Sequence, residues 1–474
     1  MIRLTLPADL APRQRYGLEV LVDLSRLLVV ADPAADVVRL EVVEARASSL
    51  DHLLQHEIPL EPGDGVVRVG RPALEGITAL AGAAVEQEST AADRHGRVPT
   101  AANPSVRAGK DRDPIVQRWA ASLGGAVRHA AGRRAVRYLA PWPEGRRWAA
   151  AITHDLDIVS GWPLFTLWRA IELLRNREWT RMARSLGSAL RAIGGDPVRA
   201  GVQSLLDAER EAGLHSTWFV LSGSPSLSSW LKGDVTYALE STSAGRLLEA
   251  VRTAGHEIGL HGSFRTALDG VRLQDEHDRL ARILGAPPAG IRQHFLRMRP
   301  DRTPALAEAA GFTYDATFGF PDRNGFRTGV ADVIPAWRAE AASTLDIVPL
   351  VWMDRALSKY RKIEDPDSWI ADGLELAAAA QSVQGLWVGL WHPNLTSPLG
   401  FPEAPEAFRR LLHSLAADAP WFATLEQVVR WRRSRRSARA TRVAPDGRIE
   451  LATGPRADWP ITLENEQGTG VARA

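Results

Sequence analysis

Gly255-His256-Glu257-Ile258-Gly259-Leu260-His261-Gly262-Ser263 follows a helix-like segment, residues 244–254, and runs through apolar residues to a histidine among small neighbours. A strand of a parallel α/β sheet delivers an imidazole to its carboxyl edge in this way, and ligands of such folds bind at that edge. Earlier in the chain Trp148-Ala149-Ala150-Ala151-Ile152-Thr153 leads just as directly into His154-Asp155-Leu156-Asp157. Alternation along an extended segment puts Asp155 and Asp157 on one face and Leu156 on the other. Two carboxylates sharing a face are costly unless a cation or a proton intervenes. Together with a histidine at a neighbouring strand end they can bind a divalent metal and leave one acid free as a base.

From Trp148 onward strand and helix signals alternate. Strands are expected at 216–221, 258–260, from 291, and at 345–350, 386–391 and 421–424, with helices at 196–212, 303–310 and 405–415. Repeated βα units imply a parallel sheet, either open or closed into a barrel. Residues 1–140 read as a smaller N-terminal α/β domain of unknown role. It has a helical period over 15–30, short strands at 37–43 and 66–69, and a polar stretch, 89–113, expected to be a mobile loop or linker. The insert 160–195 is helical, carries Trp and Arg, and follows the Asp155–Asp157 segment where it can cover the strand ends. Residues 438–474 read as a hairpin with Asp446-Gly447 at its turn, followed by a flexible tail.

Composition narrows the class. The 474 residues, 45% hydrophobic and 24% charged, are those of a globular protein with room for two domains. A formal net charge of +2 makes no case for nucleic-acid binding. The absence of cysteine excludes disulfides, thiolate metal ligands and cysteine nucleophiles. The N-terminus lacks a basic start, apolar core and small-residue cleavage site, and no stretch reaches the roughly 18 uninterrupted apolar residues of a membrane span. The expected location is therefore cytoplasmic, with contact at most to a membrane surface and no transmembrane segment.

The motifs resemble those of the polysaccharide deacetylases, the NodB-homology domain of carbohydrate esterase family 4, over residues 148–431. Ile152-Thr153-His154-Asp155-Leu156-Asp157 is similar to the first motif, in the variant with one apolar residue between the acids, and the run ending at His261 to the second. Arg292-Gln293-His294-Phe295 sits at the arginine motif and Leu390-Trp391-His392-Pro393 resembles the last. An isolated Asp-x-Asp would be read as a helix cap and a solvated acid; four motifs in order favour chemistry.

The resemblance implies a deformed (β/α)7 barrel over 141–437, and a metal-dependent hydrolase that removes an acetyl group from an acetylated sugar or glycan precursor. It makes Asp155 the base, His392 the general acid and Arg292 the residue that orients Asp155. Asp157 and His261 become ligands of a divalent metal, expected to be zinc. This chain departs from the family where a second ligating histidine is usual: that position is Arg265, which cannot bind a cation. His294 is the nearest substitute, and His256, at the start of its strand, reads as structural. Asp354 is a candidate partner for His392. Phe320, Asp322, Phe326 and Arg327 are expected to face substrate, aromatic rings suiting sugar faces; an irregular packed loop is the alternative. Two other functions stay open: hydrolysis of a cyclic amide on the same fold, and a catalytically retired sugar-binding protein, for which Arg265 is the best support.

Overall fold

Ala149–Leu156 is buried along its whole length, as befits the central strand of a parallel sheet whose two faces are both covered. The computed structural model describes residues 1–46, 48–339, 342–443, 449–452, 460–465 and 470–473. On one side of the central strand lie, in order, Thr217–Leu221, Glu257–Gly262, Gly290–Gln293 and Tyr314–Asp315, every neighbouring pair parallel. On the other side lies Leu386–Leu390, also parallel.

One stretch joins the two ends of this sheet. Asp346–Ile347 pairs with Tyr314–Asp315, and Trp352–Met353, a few residues on, pairs with Leu386–Leu390. Between them Val348 N–H donates to Asp315 O (2.9 Å), Leu350 N–H to Phe318 O (3.0 Å) and Val351 N–H to Val388 O (3.1 Å). The change of neighbour falls between Leu350 and Val351; Pro349, without an N–H, donates to neither side. The sequence pattern predicts a single strand over 345–350; Asp346, Val348 and Leu350 N–H all donate to 313–318, and the neighbour changes at Val351. Counting this stretch once, seven strands form a barrel closed irregularly at one seam, the deformed barrel expected.

Helices return the chain between strands, among them Pro197–Glu211, Thr242–Thr253, Gly270–Leu284, Pro366–Ser382 and Ala404–Ala417. The insert forms two helices, Trp162–Arg175 and Trp179–Arg191.

The first part of the chain builds a second sheet: Ile2–Thr5, Val38–Val43 and Val66–Gly70 are parallel, and Leu60–Gly63 adds an antiparallel edge. Its helices Pro12–Ser25, Arg71–Ala81 and Ile115–Ala131 pack into the same buried apolar cluster as barrel residues. The stretch 89–113, expected to be a mobile linker, is instead held to the barrel. Arg97 Nη1 donates to Phe295 O (2.6 Å) and Asn103 Nδ2 to Arg327 O (3.0 Å). Polar residues without an apolar period still anchor a segment when each finds a buried partner.

At the C-terminus Arg439–Val443 and Ile449–Ala452 pair antiparallel as the hairpin reading requires, its Asp446-Gly447 turn lying outside the described residues. In the tail, Thr462–Glu464 pairs with both Tyr138–Leu139 and Gly470–Arg473.

Candidate active site

The motif residues meet at the carboxyl ends of adjacent strands. Asp155 ends the central strand, Asp157 follows it, and His261 comes from Glu257–Gly262 two strands away. Arg292 lies on Gly290–Gln293, with His294 in the tight turn after it, and His392 follows Leu386–Leu390. All but the fully buried Arg292 line a cavity of about 400 Å³.

Asp157 is the hub. Its Oδ1 lies 3.3 Å from His261 Nε2 and 3.6 Å from His294 Nε2, and its Oδ2 lies 3.8 Å from His392 Nε2. One donor atom from each of Asp157, His261 and His294 falls within 4.8 Å of the others. Asp157 Oδ1 and His261 Nε2 are buried without a hydrogen-bond partner, an arrangement proteins avoid unless something else occupies the point of convergence.

The far side of each imidazole explains its aim. His261 Nδ1 is 2.9 Å from the backbone oxygen of Arg292, His294 Nδ1 is 3.3 Å from Asp234 Oδ1, and His392 Nδ1 is 2.6 Å from Asp354 Oδ1. Each acceptor calls for the proton on Nδ1, which leaves the Nε2 lone pair facing the cavity, the tautomer a metal ligand requires. Two imidazole nitrogens and one carboxylate oxygen are a fitting donor set for zinc or a similar divalent ion.

Charge follows the geometry. Burial alone would raise the Asp157 pKa, but contact with His261 and the charges of His294 and His392 hold it well below the usual carboxylate range. Burial works to lower His261 and His392, yet His261 is raised by Asp155 and Asp157, and His392 by Asp354 and then the two site aspartates. The carboxylates that favour a proton on His261 equally favour a cation beside it.

Asp155 is held apart from this set. Arg292 Nη1 donates to its Oδ1 (2.9 Å) and to Thr153 Oγ1 (2.9 Å), while Arg292 Nε donates to Ala316 O (3.1 Å). The guanidinium is fully buried over the Phe219 ring, 4.5 Å from its centroid. Asp155 Oδ2 lies 3.7 Å from His261 Nε2, so one oxygen is fixed and the other is turned toward the metal-ligand set.

The loop expected to face substrate does not line the cavity. Phe320 and Phe326 are buried. Asp322 accepts from Thr100 Oγ1 (2.6 Å), and Arg327 forms a buried ion pair with Glu86, its Nε 3.2 Å from Oε2. Asp322 and Arg327 bind the barrel to the first part of the chain, and of that loop only Pro321 reaches the cavity. The walls are instead supplied by Phe165, Trp168 and Arg169 of the insert, by Arg97, and by Arg355, Lys359 and Tyr360. Burial and the charge of Arg355 push Lys359 down to about 8. Asp234, which orients His294, carried no motif, and neither did Arg355 or Lys359. Arg265 lines a separate surface groove. His256 is structural as expected, its Nδ1 accepting from Ser216 N–H (2.9 Å). His154 is equally structural, between Trp391 O (2.7 Å) and Glu209 Oε1 (2.8 Å).

No family model matches the chain, and neither does any curated protein. Among solved structures it is similar to a presumptive polysaccharide deacetylase from Mycobacterium smegmatis, with 23% identity over 64% of this chain and 96% of that one and a TM-score of 0.42. It is also similar to the chitin deacetylase of the fungal pathogen Colletotrichum lindemuthianum, at 13% identity over 65% of this chain and 93% of that one, TM-score 0.33. A third is a family 4 carbohydrate esterase pseudoenzyme from Bacillus anthracis, at 10% identity over 61% and 66%, TM-score 0.32. Likenesses at this level decide nothing about activity. The topology speaks for itself: seven strands close a deformed barrel, with the four motifs at their carboxyl ends. The fold is NodB-like. Within that barrel, His294 stands with Asp157 and His261, one donor atom of each within 4.8 Å of the others.

Part of the site's shape comes from backbone strain. Phe295 and Leu296 adopt φ of 60° and 50°, a left-handed region that costs a non-glycine residue about 1–2 kcal/mol. The turn places the Phe295 ring flat on His294, centroids 3.9 Å apart. The Arg97 bond to Phe295 O braces it from the other side.

Proposed function

We propose that this chain is a zinc-dependent hydrolase that removes an acetyl group from the nitrogen of an amino sugar or glycan precursor. The convergence of Asp157, His261 and His294 on one point, with two buried lone pairs left unpartnered there, carries the reading. Bound by these three, a divalent cation supplies Lewis acidity, lowering the pKa of a water and polarising an acyl oxygen.

The remaining steps belong to the chain. Asp155 Oδ2 takes a proton from the attacking water as its oxygen bonds to the acetyl carbon. Arg292, on Oδ1, keeps that carboxylate ionised and aimed. His392 Nε2 donates a proton to the nitrogen as the carbon–nitrogen bond breaks, so that acetate and a free amine leave. His392 donates as the imidazolium, which Asp354 favours, and Asp354 keeps the Nδ1 proton in place when Nε2 gives up its own. The reading as a retired protein rested on Arg265, and His294 answers it by offering a third donor from the next strand.

Purified protein titrated with zinc should bind one equivalent and release acetate from N-acetylated sugars, with activity lost to a chelator and restored by zinc. His294→Ala should weaken zinc binding by about 10-fold or more, whereas Arg265→Ala should leave it unchanged. Unaltered zinc affinity in His294→Ala would place the third ligand elsewhere. Turnover of cyclic ureides with none of acetylated sugars would favour the cyclic-amide reading.

A further inference from the structure

Both insert helices present an apolar stripe away from the core. Along Trp162–Arg175, Leu164, Leu167, Ile171 and Leu174 form an outward stripe. Trp179–Arg191 and the turn after it repeat the pattern with Trp179, Leu186, Leu190 and Ile193, while the side chain this helix buries is Ser185, which donates to Pro398 O (3.0 Å). A helix that packs on a core buries its apolar stripe; the first of these buries Ala170 and Leu173 and carries a second stripe outward, and the second presents its stripe to the outside. Leu227 and Leu231 extend the same surface from Leu227–Leu231, which joins the insert through Trp230, 5.1 Å from Trp168 and 6.0 Å from Phe165 between ring centroids. Ten of the fourteen exposed large apolar side chains among the described residues lie here. So much apolar surface in one place marks an interaction site.

Charge selects the occupant. The two acids of the insert helices are neutralised within the protein, Glu172 by Arg169 and Lys362, and Glu178 by Arg181. Arg175, Arg177, Arg184 and Arg191 make no ion pair among the described residues and are exposed. On the second helix, Arg184 and Arg191 lie together on one side of the apolar stripe, positions from which an arginine reaches a polar headgroup while its neighbours enter the acyl region. A second copy of the chain would set arginine against arginine across a twofold axis; an anionic lipid surface complements both the stripe and its rim. No helix among the described residues is long and apolar enough to cross a membrane, so these helices would lie along one.

We infer that the insert docks the protein on an anionic membrane surface. Phe165, Trp168 and Leu231 also line the catalytic cavity, so docking places its rim at the headgroup level. The full chain should float with phosphatidylcholine vesicles containing phosphatidylglycerol. It should bind them at least ~10-fold more tightly than vesicles of phosphatidylcholine alone, with the difference shrinking as salt rises. Leu190→Glu with Ile193→Glu, both fully outside the cavity, should abolish flotation while zinc binding and the melting temperature stay unchanged. Arg184→Ser with Arg191→Ser should remove the preference for anionic vesicles. Absence of vesicle binding by the wild-type chain overturns the inference, as does a solution dimer that the glutamate pair merely converts to monomer. None of these readouts depends on catalysis, so they stand apart from the test of the hydrolase itself.

Discussion

Asp155 and Asp157 stand two residues apart on one face of one strand end, yet their neighbours give them different work. Asp155 gives an oxygen to the buried Arg292 guanidinium, while Asp157 leaves Oδ1 bare between two imidazoles. Asp155→Asn keeps the shape and loses the basic site. Its kcat should fall by about 10²–10⁴-fold with zinc stoichiometry retained; loss of zinc as well would make Asp155 a ligand rather than the base. The pH dependence tests His392. Its pKa is raised above the ordinary value of 6.5 because Asp354 and the site aspartates outweigh burial. A raised folded pKa keeps the acid form present to higher pH and loses it as pH rises through that value. The basic limb of kcat/KM should therefore lie above 6.5. Asp354→Asn should move it to lower pH, and His392→Ala should delete it. A limb that stays in place in both variants would assign the acid to another group. The strand-end placement of His261 and His392 was legible because each closes an apolar run. Phe320, Asp322, Phe326 and Arg327 were misjudged because aromatic and charged residues in a loop look alike whether they meet a sugar or the rest of the chain. Glu86, the partner that decides it for Arg327, is 241 positions away.

At the scale of elements, a continuous apolar run read correctly as a buried parallel strand, and helix periodicity placed the covering helices to within a few residues. What escaped was any feature that depends on a distant neighbour: the change of neighbour after Leu350, and the aromatic support beneath Arg292. Gly259 shows the second. A Cβ there would lie 2.8 Å from the Phe219 ring and 3.0 Å from the Gly290 backbone oxygen. The ring can give way only by leaving the Arg292 guanidinium it supports, and the backbone oxygen belongs to the neighbouring strand. Gly259→Ala should therefore destabilise the protein by about 1–3 kcal/mol, read as a lower denaturant midpoint. It should also reduce kcat by displacing Arg292 from Asp155. Full activity with the same midpoint would mean that this part of the barrel relaxes without disturbing the base.

For the whole molecule, the change of character near residue 140 that suggested two domains is not matched by a gap in the core. Residues of the first sheet and of the barrel belong to one buried apolar cluster, and buried polar contacts cross the same contact zone. Tyr16 donates to Pro335 O (2.8 Å), Arg432 pairs with Asp23 (3.1 Å), Asn103 donates to Arg327 O (3.0 Å), and Glu86 pairs with Arg327. Some of this contact lies directly behind the site, since Arg97 holds the Phe295 turn and Arg297 Nε donates to His95 O (2.8 Å). The first part of the chain thus serves as a buttress for the turn that carries His294. The two parts should unfold together, with far-UV circular dichroism and tryptophan fluorescence following one transition. Glu86→Ala, which leaves the Arg327 guanidinium buried without its carboxylate, should lower stability by about 3–5 kcal/mol. Glu86→Leu with Arg327→Met should recover part of that loss, because the uncompensated charge is gone. Because the buttress and the site are coupled, Glu86→Ala should also weaken zinc binding although Glu86 lies outside the cavity. Two resolved transitions, the second of them insensitive to Glu86→Ala, would show instead that the barrel holds His294 in place unaided.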